Sequence, residues 1–222
     1  MTDAIQEIID GDAPVFLLIA GPNGASKSTF TGKRLSPIGF PVIDPDAVGW
    51  ELYGRFSKDS HEALAASLEA ERRVRKALQE RRSIALESVF SDTQGYKLAL
   101  LREAREAGFR PVLVFIGVDS PEICIARVMD RVAHGGHDVP DQTIRRRFPR
   151  CFDNLKKSLR LVDLVLLLDN SGCYGSGGAQ PDGQRHYQFG VIQCGKSVQL
   201  QASLPAWYKE FSVAAAVQTQ CT

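Results

Sequence analysis

The sequence has no long hydrophobic run, few cysteines and almost no net charge, and each absence excludes a class of protein. No apolar run approaches the roughly 20 residues that cross a bilayer, and the acidic N-terminus lacks the apolar core of a secretory signal. The five cysteines show no C-x-x-C spacing, which argues against a zinc site or a disulfide framework. A net charge of +1 gives no reason for bulk binding to nucleic acid or membranes. We therefore expect a soluble, cytoplasmic protein.

Between residues 15 and 168, short apolar runs alternate with stretches of helical periodicity. The predicted strands are Val15–Ala20, 40–43, 83–86, 111–118 and 162–168, and the predicted helices are 27–35, 61–82, 94–107, 121–133 and 141–161. The first run, VFLLIA, is apolar throughout, which is typical of a strand buried on both faces of a parallel sheet. The alternation predicts a three-layer α/β fold with a parallel sheet.

A change of composition near residue 170 suggests a boundary. The stretch 171–183 contains five glycines and one proline, which predicts a loop. Beyond it, 186–193 and 197–203 flank a Cys-Gly-Lys turn and predict an antiparallel β-hairpin before a short terminal helix. We expect a main domain over 1–170 and an appendage over 171–222 that is too small to fold alone.

A glycine-rich loop follows the first predicted strand and opens a helix, which is where a phosphate-binding P-loop belongs. Its residues are Gly21, Pro22, Asn23, Gly24, Ala25, Ser26, Lys27, Ser28 and Thr29. Backbone N–H groups of such a loop surround phosphate oxygens at the positive end of a helix. The lysine would bind the phosphates of ATP or GTP, and the hydroxyl of Ser28 would bind magnesium. The alternative is a tight turn that only links strand to helix.

Ser26 stands where the standard pattern has glycine, whose missing Cβ lets the main chain approach the phosphate. The serine either is accommodated by a small shift or weakens nucleotide binding. A non-catalytic nucleotide-binding protein with a degenerate loop therefore stays open as an alternative function.

The class of P-loop protein follows from what accompanies the loop. An ABC-type ATPase needs an Asp-Glu pair after a core strand and an LSGGQ-like signature, but here Asn170 follows VLLLD and no signature occurs. A kinase needs an acid that accepts a hydroxyl proton, an acceptor pocket, and arginines that neutralise the transferring phosphoryl group. The sequence offers candidates for all three, and it therefore favours a kinase among the P-loop proteins.

The candidate acids follow predicted strands, where the carboxyl ends of parallel strands bind ligands. Asp44 and Asp46 follow the second strand, and we interpret Asp44 as a turn or cap residue and Asp46 as the proton acceptor. Glu87 ends the next strand, where a carboxylate is costly to desolvate unless it binds something. Glu71, on the long helix, would by itself be a solvated charge.

The candidate arginines lie between residues 127 and 150, which we interpret as a mobile lid. Arg127 and Arg131 share one face of a helix, and two glycines then interrupt the chain before a second basic helix. The stretch 127–160 holds nine Lys or Arg against four Asp. The alternative is that these positive charges only form a solvated helix face. A polynucleotide-end kinase that uses this basic stripe as a strand groove is a further alternative.

The motifs IAGPNGASKSTF, VIDPDAV, ALESVFSD, RVAHGGHDVPDQTIRRRF and LLLDNSG occur in this order. Together they resemble the bacterial zeta-toxin-like P-loop proteins, in the branch labelled predicted ABC-type ATPase, over residues 15 to 172. The resemblance implies a kinase that uses ATP and magnesium to phosphorylate the 3′-hydroxyl of the amino sugar in UDP-N-acetylglucosamine. It also implies an antitoxin protein as partner.

The resemblance carries roles onto individual residues. Catalytic roles fall on Lys27, Asp46, Arg131 and either Arg145 or Arg146, and substrate-binding roles on Glu71, Glu87 and Ser88. Two positions depart from the family: Ser26 bears on nucleotide affinity, and Glu87-Ser88-Val89 replaces the usual Glu-Gly-Thr and bears on the amino-sugar specificity. The expected acceptor is therefore a hydroxyl of a nucleotide-sugar or a related small metabolite.

Overall fold

The structure, a computed structural model, describes residues 9, 11–57, 59–172, 187–193, 197–211 and 213. Its strands are β1 (Val15–Ala20), β2 (Val42–Ile43), β3 (Ile84–Ser88), β4 (Arg110–Gly117), β5 (Leu164–Asp169), β6 (Tyr187–Gln193) and β7 (Ser197–Leu200). Its helices are α1 (Lys27–Arg34), α2 (Pro45–Tyr53), α3 (Ser60–Gln79), α4 (Tyr96–Glu106), α5 (Pro121–Ala133), α6 (Asp141–Ser158) and α7 (Ala206–Glu210), with a 3₁₀ turn at Ser36–Ile38. Within this part of the chain, no helix combines the length and the apolar character needed to span a membrane.

The strands form one mixed sheet in the order β2-β3-β1-β4-β5-β6-β7. Strands β1 to β5 are parallel, and β6 and β7 are added antiparallel at one side. In the middle of the sheet, Leu18 of β1 lies between Leu86 of β3 and Leu113 of β4. The predicted α/β class with a parallel sheet is confirmed, as is the pairing of the terminal hairpin.

Strand β1 owes its central place to its composition, since all six of its residues are buried. Helices cover both faces of such a strand, which leaves no polar position along it. After β1 the chain forms β2 on the far side of β3, and then forms β3 itself. It next crosses to the opposite side of β1, where it forms β4. This reversal opens a crevice at the carboxyl end of β1, where the glycine-rich loop begins.

Strand β2 is shorter than the predicted strand over 40–43. Pro41 has no N–H to give to the sheet, although its carbonyl accepts a hydrogen bond from the Ala85 N–H at 2.9 Å. The Phe40 N–H instead bonds to the Leu35 carbonyl at 3.1 Å, which ties that residue to the preceding turn. Regular pairing with β3 is therefore limited to Val42 and Ile43.

The terminal helix α7 is anchored to the end of the sheet by Trp207, which is completely buried. Its ring fits against Gly117 so closely that a Cβ on this glycine would lie 2.3 Å from a ring carbon. The indole N–H donates to Asp169 at 3.0 Å, and the backbone N–H donates to Asp119 at 3.1 Å. The predicted boundary near residue 170 stays a prediction, because the segment 173–186 lies outside the described residues.

Candidate active site

A cleft of about 590 Å³ opens at the carboxyl ends of β1, β2 and β3. It brings together the predicted P-loop over residues 21–29, called the phosphate loop below, the acids after β2 and β3, and two arginines of α5. The lining residues are Asn23, Gly24, Ser26, Lys27, Ser28, Thr29, Asp44, Pro45, Asp46, Glu87, Ser88, Val89, Arg127, Asp130, Arg131 and Asn170. Residues predicted from three separate stretches of the sequence therefore share one site.

The phosphate loop packs directly on neighbouring backbone, which requires two of its glycines. A Cβ on Gly21 would lie 2.2 Å from the Ile116 carbonyl oxygen, and one on Gly24 would lie 2.7 Å from that of Cys124. Gly24 also has φ +71°, which favours glycine. The loop ends at the N-terminus of α1, so that helix directs its first N–H groups toward the cleft.

Ser26 adopts the conformation that the usual glycine would have. Its φ is 68° and its ψ is 38°, which is the left-handed region. A non-glycine residue held there costs on the order of 1–2 kcal/mol. The loop therefore keeps its path despite the serine, and local strain is the consequence.

Lys27 is buried at 8% exposure and folds back over the loop. Its Nζ donates to the carbonyl oxygens of Gly21 and Pro22, both at 3.0 Å. The ammonium group is thus held over the loop by weakly basic acceptors. A phosphate oxygen, which carries charge, is a stronger acceptor that can take their place.

The hydroxyl of Ser28 lies beside a carboxylate of β3. Ser28 Oγ donates to Glu87 Oε1 at 2.7 Å, and Thr31 Oγ1 donates to Glu87 Oε2 at 3.2 Å. Hydroxyl and carboxylate oxygens are the ligands that magnesium prefers, so this pair of residues fits the metal. Thr31 was not predicted; its signal was its position one turn after Ser28 on α1.

The two acids after β2 have different environments. Asp44 caps α2 by accepting the Asp46 N–H at 2.9 Å, as predicted from the sequence. Burial and the nearby negative charge of Glu87 raise the pKa of Asp44 to about 6. Asp46 lies in the first turn of α2, and its side chain is 50% exposed.

Asp46 faces the positive groups of the site. Burial raises the pKa of its carboxyl, but the contact with His137 and the charges of Arg131 and Lys27 outweigh this effect, and the pKa lies below its usual value. The His137 Nδ1 atom is 3.4 Å from Asp46 Oδ1. Asp46 is therefore ionised at neutral pH, the state in which a carboxylate accepts a proton.

Two arginines of α5 close the cleft from the lid side. Arg127 donates to the Gly24 carbonyl at 3.3 Å and to the Asn170 carbonyl at 2.5 Å. Arg131 donates to the His137 carbonyl at 2.5 Å, and its buried Nε has no hydrogen-bond partner among the described residues. Arg131 lines the cleft, where its positive charge acts on Asp46.

Three predicted site residues lie outside the lining of the cleft. Glu71 is 2% exposed and accepts a hydrogen bond from Lys97 Nζ at 2.5 Å, in a buried ion pair that does not line the cleft. Arg145 is exposed and bonds to Glu122 at 2.5 Å, and Arg146 is also exposed. The structure therefore brings neither of these two arginines to the acids and the phosphate loop.

Arg147, which was not predicted as a site residue, is half-buried on α6 but does not line the cleft. Burial and repulsion from Arg146 lower the pKa of its guanidinium, while the charge of Asp46 acts in the opposite direction. Its neighbours Ile144 and Phe148 are buried on α6. Arg147, three residues after Ile144, lies on the same face, so helical periodicity could have identified it.

Asn170 was noted in the sequence only for what it replaces. It is 2% exposed, and its Nδ2 donates to the carbonyl of Ala25 within the phosphate loop at 3.0 Å. Its backbone N–H bonds to the Gly117 carbonyl at 2.9 Å. At the position where an ABC-type ATPase has a catalytic glutamate, this chain has a residue that supports the loop.

Solved structures with this fold include three that bear on its chemistry. A protein of Chloroflexus aurantiacus described as a candidate kinase has a TM-score of 0.54 and 19% identity, covering 72% of this chain and 90% of that one. The AvrRxo1-ORF1:-ORF2 complex with ATP has a TM-score of 0.64 and 14% identity, covering 100% and 67%. The PezAT chromosomal toxin-antitoxin system of Streptococcus pneumoniae has a TM-score of 0.54 and 16% identity, covering 84% and 77%. At these identities the likeness establishes a shared P-loop kinase-like fold.

A family model gives the assignment by sequence. The AAA_33 model, described as an AAA domain, matches residues 16–150, from β1 to the end of the predicted lid. The matched stretch includes the phosphate loop, both acids after β2 and Glu87. The chain belongs to the AAA_33 family of P-loop, kinase-like domains.

Proposed function

We propose that the protein is a zeta-toxin-like, ATP-dependent phosphotransferase that transfers the γ-phosphoryl group to a hydroxyl of a nucleotide-sugar or a related small metabolite. The observation that carries the proposal is that Lys27, Ser28 and Asp46 line one cleft. A cation for phosphates, a hydroxyl for magnesium and an ionised carboxylate for a proton are the parts that phosphoryl transfer needs.

Each residue has a role in this reaction. Lys27 and the loop N–H groups would hold the β- and γ-phosphates, and Ser28 would hold a magnesium ion that neutralises phosphate charge. The acceptor oxygen forms a bond to the γ-phosphorus, the bond to the β,γ-bridging oxygen breaks, and ADP leaves. Asp46 takes the hydroxyl proton, while Arg131 supplies positive charge to the transferring group.

An antitoxin partner is part of the proposal. The solved neighbours support it, because PezAT is a toxin-antitoxin system and AvrRxo1-ORF1 is crystallised with a second protein, ORF2. A partner that inhibits such an enzyme would need to reach the cleft, where the half-exposed Asp46 offers one accessible position.

The experiment is incubation with γ-labelled ATP and magnesium in the presence of nucleotide-sugars, nucleosides or oligonucleotides. We expect label on a nucleotide-sugar. Asp46→Asn should reduce transfer about 10²–10⁴-fold, the usual contribution of a general base, while calorimetry shows ATP affinity nearly unchanged. Asp153→Asn on the outer surface of α6 is the matched control and should transfer normally.

Three results would contradict the proposal in different ways. Normal turnover of Asp46→Asn would remove the role of this residue. ATP binding without any transfer would favour a binding protein, and label on oligonucleotides alone would favour a polynucleotide-end kinase.

A further inference from the structure

The lid places a histidine ring on the residue that the reaction uses as its base. His137 lies in the loop between α5 and α6, its side chain is 22% exposed, and its Nδ1 is 3.4 Å from Asp46 Oδ1. An acceptor hydroxyl must approach the same carboxylate. The ring and the acceptor therefore compete for one position.

The loop is built to hold this histidine in place. Gly135 has φ +83°, and a Cβ on Gly136 would lie 2.4 Å from the Cγ atom of Arg131. The two glycines thus let the loop fold back on the arginine, which donates to the His137 carbonyl. Side chains at positions 135 and 136 would push the loop away from Arg131.

Aromatic contacts hold the ring from the other side. Phe56 stacks on His137 with centroids 5.5 Å apart and planes 10° apart. Trp50 of α2 contacts Phe56 edge-on at 5.1 Å. Asp46 lies in the first turn of the same helix. His137 therefore contacts α2 directly through Asp46 and is also linked to its Trp50 through Phe56.

We propose that His137 is a specificity residue that separates acceptor hydroxyls from water. In the absence of an acceptor, its ring lies 3.4 Å from Asp46 Oδ1 and hinders a water molecule from using this oxygen as a base, while the rest of the half-exposed carboxylate stays open to solvent. A bound acceptor, held by its own contacts in the cleft, displaces the ring and takes its place. This inference rests on the proposed phosphotransferase function.

The reaction that the ring suppresses is hydrolysis of ATP. A water oxygen would form a bond to the γ-phosphorus, the bond to the β,γ-bridging oxygen would break with departure of ADP, and a water proton would pass to Asp46. This hydrolysis needs no acceptor, so it can be measured while the acceptor is unidentified.

The test is the rate of acceptor-free ATP hydrolysis in variants of the full chain. His137→Leu should raise it at least about tenfold, whereas His137→Asn should keep it low, because the amide nitrogen can donate from nearly the position of Nδ1. His134→Leu is the matched control, since His134 is an exposed histidine of the same region and, among the described residues, its side chain bonds only to Asp130. Its rate should equal that of the unmodified protein.

Further variants make the result specific. Phe56→Leu removes the stacking without changing the loop, and it should also raise hydrolysis, even where His137→Leu folds poorly. Adding Asp46→Asn to His137→Leu should return the rate to background. An unchanged rate in both His137→Leu and Phe56→Leu, with ATP binding intact by calorimetry, would overturn the inference and leave the proposed function standing. Absence of ATP binding in the unmodified protein would overturn both.

Discussion

Ser26 is the residue at which the phosphate loop stores strain. Its left-handed backbone costs on the order of 1–2 kcal/mol more for serine than for glycine. Glycine, however, has more conformational freedom in the unfolded chain, which reduces its stabilising advantage by about 0.5–1 kcal/mol. The difference is small but favours glycine. Natural loops of this type use glycine for this conformational reason as well as for access to phosphate.

Ser26→Gly should therefore raise the free energy of unfolding by about 0.5–1 kcal/mol. It should also raise ATP affinity, because the Cβ beside the phosphate is gone. Urea denaturation and calorimetry measure the two effects. Ser60→Gly is the matched control: Ser60 begins α3 with helical backbone, so glycine there should destabilise, and a similar gain at both positions would refute the strain explanation.

Single residues differ in how well the sequence predicts their place relative to the cleft. Lys27 and Ser28 were predictable because a contiguous motif fixes their geometry. Glu71 was not, because its place depends on Lys97, 26 residues away, with which it forms a buried ion pair. A charge on a helix face identifies no partner, so the substrate role of Glu71 stays a prediction.

At the scale of elements, α6 shows how one helix separates neighbouring arginines. Ile144, Phe148 and Cys151 bury one face, and Arg147 lies on it while Arg146 projects into solvent. The phase of the helix decides which of these two side chains is buried, while the role of Arg145 or Arg146 as the second lid arginine stays a prediction. The sequence contained the periodicity, but the predicted choice of Arg145 or Arg146 followed family spacing instead.

Arg147→Ala removes a positive charge that acts on Asp46 from outside the cleft lining, so it should reduce phosphoryl transfer about tenfold or less. Arg146→Ala, the matched control, should stay within about twofold, since an exposed guanidinium is screened by water. Steady-state rates with labelled ATP compare the variants. Equal losses would indicate that only the overall charge of the helix matters, and loss in Arg146→Ala alone would restore the spacing-based choice.

At the scale of the whole molecule, the C-terminal segment completes the core. Trp207 packs on Phe115 and Phe152, with ring centroids 5.6 Å and 5.4 Å apart. The parallel part of the sheet was predictable from apolar runs and helix periodicity, which are local. The docking of α7 was not, because it depends on the gap that Gly117 leaves on another strand.

Trp207→Ala should lower the free energy of unfolding by about 3–5 kcal/mol, the usual cost of removing a large buried aromatic side chain. The chain supplies its own control in Trp50, which is 52% exposed and should cost about 1 kcal/mol or less as alanine. Urea midpoints followed by circular dichroism measure both. Similar losses at the two positions would show that α7 contributes little to the core.

The short outer strands of the sheet have a consequence for the behaviour of the protein at high concentration. Among the described residues, the sheet ends at β2, with two residues, and at β7, with four. Unpaired N–H and C=O groups along a sheet margin are templates for strands of other chains, and short margins offer few of them. The fold thus limits intermolecular β-pairing, the first step toward aggregation, by the brevity of these two strands.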